Sequence, residues 1–261
     1  MSGKGIFLGA IIGLMITRTL WGAVIGAILG YMLESTVQGH TADAMSISDE
    51  FFRTTFELMG HVAKSDGRVS EAEIDAARGL MQDLNLGPYE VGIAIERFRA
   101  GKAPGYDAEL AVERLREACG QRHDLLRAFM ELQLRAALSG NGMSPPARAI
   151  LMRVAGRLGM SGVEFAYMEA ALRARQSHRG AGARRPAPGA GSLAECYAEL
   201  EIDSAASDQE VVKAFRRHLS RHHPDKLVAN GLPESMAQMA KEKTQRIQEA
   251  YEEIRAARGM R

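Results

Sequence analysis

Apolar residues fall in two different patterns along this chain. From Ile6 to Leu33 they are nearly continuous, interrupted by one charge, Arg18. From Glu50 onward they return every three or four positions between charged residues, the spacing of a helix with one buried face. Phe51, Phe52, Phe56, Met59 and Val62 lie on one such face. Ser70-Glu71-Ala72-Glu73 predicts a capping box opening a helix over Ile74–Leu84. Further helices are predicted over Tyr89–Arg99, Ala108–Cys119, His123–Leu138, Pro146–Leu158 and Val163–Arg175. No run of alternating β-branched residues interrupts them, so the expected class is all-α.

The apolar segment exceeds the about 20 residues that cross a bilayer. A cleaved signal peptide would be shorter and end in a small-residue cleavage site, and no clear site is present. The expectation is a single transmembrane anchor over 1–34. Gly5, Gly9 and Gly13, then Gly22, Gly26 and Gly30, are four apart and share one half of the helix with Thr19. Small residues on one face let two membrane helices approach, which predicts a homodimer; the plainer account is that glycine is common in membrane helices. Arg18, at the edge of that face, costs about 2.5–3.5 kcal/mol in mid-helix. Lys4 and Arg53 are the basic residues nearest the two ends, too few to set orientation.

The segment 50–173 reads as a helical bundle with a weak internal repeat. Phe52–Lys64, turn, Glu71–Leu84 is echoed by Leu125–Leu138, turn, Pro146–Leu158. The first turn, Lys64-Ser65-Asp66-Gly67-Arg68-Val69, together with its flanking acids, resembles the TerB-like tellurite-resistance fold. In that family acidic residues bind metal, and Asp66, Glu71 and Glu73 match here. A divalent cation held weakly there is the one cofactor the resemblance suggests. The second turn, Ser139–Ser144, lacks the acids and carries Ala147 where a glutamate would be expected, which leaves few oxygens for a hard cation. Capping by Ser70 and Glu73 accounts for the first turn without metal. His61 and Cys119 are expected to be packed side chains.

Ala174 to Gly191 is rich in Arg, Gly, Ala and Pro without apolar periodicity, and predicts a flexible basic linker. In 192–261, capping boxes at Ser192-Leu193-Ala194-Glu195 and Ser207-Asp208-Gln209-Glu210 open two helices. In the second, Val211, Phe215, Leu219 and His222 are expected to face a core, with Lys213, Arg216, Arg217 and Arg221 on other faces. Pro224 must stop that helix and set Asp225 in an exposed loop. A last helix is predicted over about Glu234–Ala257, with Met236, Ala240, Lys243, Ile247, Ala250, Tyr251 and Ile254 toward the second.

Lys213-Ala214-Phe215-Arg216-Arg217 running into His223-Pro224-Asp225-Lys226, with Gln248-Glu249-Ala250-Tyr251 beyond, resembles the J domain. The loop Leu227–Pro233 and the order anchor, TerB-like bundle, linker, J domain resemble the membrane-anchored DjlA family. The resemblance implies an antiparallel helix pair and an Hsp70 (DnaK) partner whose ATPase is triggered by His223, Pro224 and Asp225. It implies docking through Lys213, Arg216 and Arg217, assisted by Arg221 and Lys226. Basic helix faces elsewhere are usually just solvated, but cations beside such a loop suit electrostatic docking. Two residues depart from the family pattern: Phe215 replaces a tyrosine, and His218 stands at a usually apolar position, where it would loosen the helix pair or lie at the domain surface. No Gly/Phe-rich region or zinc-binding CxxC repeat is present to hold clients.

Composition narrows this little further. The net charge is +1, which gives no bulk attraction for nucleic acid. Cys119 and Cys196 are the two cysteines and do not form a CxxC pair, so a reducing compartment fits. Neither a nucleophile–base pair nor a phosphate-cradling glycine loop is visible, so the expectation is a non-enzyme. The reading is a homodimeric co-chaperone of the bacterial inner membrane with its C-terminal domains cytoplasmic. It would recruit DnaK for an unknown client and act in stress response and envelope or capsule (colanic acid-type) signalling. The alternative is a metal- or stress-sensing membrane adaptor with a J-like docking tail.

Overall fold

The computed structural model describes residues 43–65, 67, 71–139, 142–180 and 190–260, with side chains over 43–65, 67, 77–139, 142–174 and 193–260. The predicted anchor, its glycine face (Gly5, Gly9, Gly13, Gly22, Gly26, Gly30) and Arg18 therefore lie outside the described residues, as do Asp66 and the side chains of Glu71 and Glu73. Among the described residues no helix is long and apolar enough to cross a membrane. The chain divides into two units, Met1–Ser46 and Ile47–Arg261, and the second contains every helix from Glu71 onward.

The described residues are helical, without strands. Helix α1 covers 43–63. It is followed by α2 (Glu71–Asp83), α3 (Pro88–Gly101), α4 (Ala108–Cys119), α5 (His123–Leu138), α6 (Pro145–Arg157) and α7 (Gly162–Gly180). Next come α8 (Ala190–Glu199), α9 (Asp208–His222), the short α10 (Pro224–Ala229), a 3-10 turn (Glu234–Met236) and α11 (Ala237–Arg258). The predicted linker is thus helical at both ends, over 174–180 in α7 and from Ala190 in α8. Because α8 starts two residues before Ser192, the expected capping box there falls inside the helix.

Helix α5 is the bundle's centre. Ten of its sixteen residues are buried, and it packs on α2, α4, α6 and α7. Phe129 meets Phe51 edge-on at 5.8 Å. One of its two buried polar residues reaches across to another helix: Gln133 donates to the Thr55 carbonyl at 2.9 Å, tying α5 to α1. Helices α1 and α3 touch backbone to backbone. A Cβ on Gly60 would lie 2.0 Å from the Phe98 carbonyl oxygen, and one on Gly101 would lie 1.7 Å from that of Glu57. Only glycine permits that crossing. The thiol of Cys119 is buried, and desolvation pushes it up to about 12, so it is protonated and inert. His61 is half-buried against Tyr106, 5.5 Å between rings, and burial lowers its pKa, as expected of a packed histidine.

Candidate Hsp70-docking site

The site is built on a helix pair. Helix α9 opens on a complete capping box: the Glu210 amide donates to Ser207 Oγ at 3.4 Å, and the Ser207 amide donates to Glu210 Oε2 at 2.7 Å. The Ser207 side-chain and backbone hydrogen bonds hold the Glu210 carboxyl below its usual range. At the other end His223 is extended (φ −60°, ψ 125°), as a residue before proline must be, and Pro224 starts α10 at once. A single residue therefore turns the chain from one helix into the next.

Helices α9 and α11 run antiparallel. Phe215 stacks on Tyr251, centroids 4.1 Å apart, while Thr244, earlier in α11, donates to the His222 carbonyl at 2.9 Å, later in α9. Arg258 closes the far end. It donates to Tyr197 Oη at 2.6 Å, to the Ala206 carbonyl at 2.6 Å, to the Ser204 carbonyl at 2.8 Å and to Asp208 at 3.0 Å. Between these clasps Val211, Ala214, Ile247 and Ile254 form a small core with Tyr197 and Leu200 of α8.

Two of the four residues expected in the core of α9, Val211 and His222, are buried, and the other two places go to different residues. Val211, Ala214, His218 and His222 are buried, while Phe215 and Leu219 are only partly covered. His218 is 1% exposed, so it packs inside rather than at the domain surface. Desolvation lowers it to about 4 and His222 to about 3, so both are neutral at pH 7. Their rings are parallel, 6.1 Å apart. The predicted last helix is a 3-10 turn followed by α11. Ile247, Ala250 and Ile254 are buried as expected, and Ile247 and Ile254 join the small core with α9; Met236 and Ala240 are buried in the bundle's core instead.

The tripeptide faces outward. The side chain of Asp225 is 90% exposed and that of His223 49%, with Nδ1 of His223 4.0 Å from Asp225 Oδ2. Asp225 occupies the first turn of α10 rather than an open loop. Leu227 anchors α10 from below and is 1% exposed. The five basic residues divide into two sets. Lys213, Arg216 and Arg217 are exposed, and Lys213 and Arg216 form no ion pair with any described residue; Arg217 lies 3.3 Å from His218 Nε2. Arg221 and Lys226 instead reach one carboxylate of α5, Asp124, at 3.2 and 3.6 Å. Asp124 escaped sequence reasoning because a first-turn acid is ordinarily a helix-dipole residue, and nothing local signals a partner about a hundred residues away. Among the described residues no cluster of potential metal ligands occurs.

Two family descriptions match in the order of these elements: tellurite resistance protein TerB over 53–170 and the DnaJ domain over 195–258. The chain is therefore a J-domain protein with a TerB bundle. A protein named co-chaperone protein DjlA from Coxiella burnetii is 40% identical over 257 residues, 98% of this chain and 95% of that one. Others so named, from Vibrio cholerae and Escherichia coli K12, are 39% identical over 227 residues and 34% over 267. They cover 82% and 98% of the chain, and 80% and 98% of their own lengths. This chain belongs to the DjlA co-chaperone family. No solved structure matches it.

Proposed function

We propose that this protein is a membrane-anchored co-chaperone that recruits a DnaK-type Hsp70 to the bacterial inner membrane and stimulates its ATPase. The observation that carries this reading is the outward His223-Pro224-Asp225 corner, held rigidly between α9 and α10 beside exposed Lys213 and Arg216. The cations would steer and hold an acidic partner surface, and the corner would trigger hydrolysis there. The chemistry belongs to the partner; the named relatives are co-chaperones rather than enzymes. The apolar stretch Ile6 to Leu33 supports the anchor, and its glycine spacing supports a dimer through that segment. Since ATP-driven Hsp70 works in the cytosol, the bundle and J domain would be cytoplasmic. The likeness to the DjlA family extends the proposal to a role in envelope or capsule signalling.

The test is the steady-state ATPase of a DnaK-type Hsp70 titrated with the full-length chain. Stimulation is expected, and His223→Gln should abolish it without changing the thermal midpoint. Equal stimulation by both proteins, or none by the wild type, overturns the reading.

A further inference from the structure

Four charged residues of α5 fall at helical spacing on one stripe: Asp124, Arg127, Glu131 and Arg135. Their signs alternate, and each meets an opposite charge in the J domain. Asp124 takes Arg221 and Lys226 at 3.2 and 3.6 Å. Arg127 donates to Glu201 at 2.6 Å. Glu131 lies 3.6 Å from Arg246, and Arg135 lies 4.0 Å from Glu242. Arg127 and Arg135 also pair within the bundle, with Glu164 at 2.7 Å and Asp83 at 3.5 Å, so the seam is strongest at Asp124, whose two ion pairs are both with the J domain.

Its composition also suits a reversible contact. Beside the ion pairs lies a cavity of about 470 Å³, lined in part by Arg127, Glu131, Glu164, Tyr167, Glu199 and Lys243. Polar, incompletely packed contacts of this kind can exchange partners while the apolar contact beside them stays closed. The apolar contact is concentrated at Leu227, Leu232, Met236, Met239 and Ala240, which join the bundle's core and hold α10 in place. The cations can thus be freed without the domains parting.

We propose that α5 of the bundle is a built-in competitor for the docking partner. Asp124 occupies Arg221 and Lys226, the two cations flanking the His223-Pro224-Asp225 corner, while Lys213 and Arg216 stay open for first encounter. This rests on the co-chaperone reading. An Hsp70 surface must displace Asp124 before it engages the whole basic edge, so the resting chain is a restrained activator. The pairs are partly open to solvent, with the side chain of Asp124 23% exposed, which makes the restraint graded rather than absolute.

The experiment compares the full-length wild type, Asp124→Asn and Asp124→Glu in two assays. In the first, titration of a DnaK-type ATPase, Asp124→Asn should lower the half-maximal concentration roughly two- to fivefold, the reach of two surface pairs. Asp124→Glu should behave as wild type. In the second, acetylation of Lys226 is measured by mass spectrometry against Lys213 in the same molecule. Its relative rate should rise by a similar factor in Asp124→Asn and not in Asp124→Glu. If the wild type stimulates while Asp124→Asn does so equally or less well, the competitor role is overturned and the co-chaperone reading stands. A gain in stimulation with unchanged Lys226 labelling also overturns it. If no variant stimulates, both readings fall.

Discussion

Helices α5 and α9 are almost equal in length, sixteen and fifteen residues, yet ten residues of α5 are buried and only four of α9. Helix α5 is packed on most sides, and stability there is a matter of apolar volume and close approach. Helix α9 holds its place with one narrow stripe, two of whose members are histidines, and with polar clasps at its ends, Ser207 with Glu210 at one and Thr244 on the His222 carbonyl at the other. The helix proposed to meet a partner thus commits little of its surface inward. Perturbing packing should therefore damage the bundle most, perturbing clasps or protonation should damage the J domain, and removing outward cations should alter docking alone.

The largest effect of a single substitution is expected where α1 crosses α3. Gly101→Ala places a Cβ against the Glu57 carbonyl, a backbone atom that cannot step aside, and should cost about 3 kcal/mol in denaturant unfolding. Gly79→Ala in α2 is the control. Nothing lies within 4 Å of that Cβ, so better helix propensity should stabilise by about 0.5–1 kcal/mol. Equal losses at both positions would mean that the crossing is not the tight point.

Next comes pH. Desolvation depresses His218 and His222 to about 4 and 3, so the unfolded chain, with histidines near 6.5, binds protons before the folded one. Their contribution is fully present above about pH 6.5 and is lost as pH falls toward 4 and then 3. The slope is about 1.4 kcal/mol per histidine for each pH unit between those limits. The ring NMR signals of Phe215 and Tyr251 followed against pH should show the J-domain packing failing on the acid side, and His218→Leu should flatten that profile. A profile unaltered by the substitution would place the titrating group elsewhere.

A smaller loss is expected at the clasp. Arg258→Lys keeps the charge but cannot reach Tyr197, Ala206, Ser204 and Asp208 together, and should cost about 1–2 kcal/mol. A change near zero would show that the four bonds are replaced by water without penalty.

Helix existence was written in the three-to-four spacing, and Ala108–Cys119 and His123–Leu138 are predicted and observed with the same ends. The outward corner was legible because proline dictates the backbone on both sides of itself. The buried face of α9 was legible only in part: Val211 and His222 were read correctly. Phe215 and Leu219 look like core residues by type, but the ring of Phe215 is satisfied by stacking on Tyr251 at the edge of the small core, and the places between fall to Ala214 and His218. Nor could the pairing of Asp124 with Arg221 and Lys226 be read, because it joins residues close only in the fold.

The smallest expected effect on stability is also the sharpest test of the contrast between the two helices. Arg216→Ala removes an exposed cation that contacts no described carboxylate, so unfolding should change by less than about 0.5 kcal/mol. Docking should change more. If long-range attraction draws the partner in, the half-maximal concentration for ATPase stimulation should rise several-fold at low salt, and the difference should shrink as salt approaches 1 M, where the screening length falls to about 3 Å. The same substitution at Arg221 should act differently. Its charge is partly cancelled by Asp124 in the resting chain, so Arg221→Ala should cost less at low salt than Arg216→Ala and depend less on ionic strength. Identical salt profiles for the two variants would show that the cations of α9 act as one undivided patch, and that the contrast between open and occupied positions has no consequence for encounter.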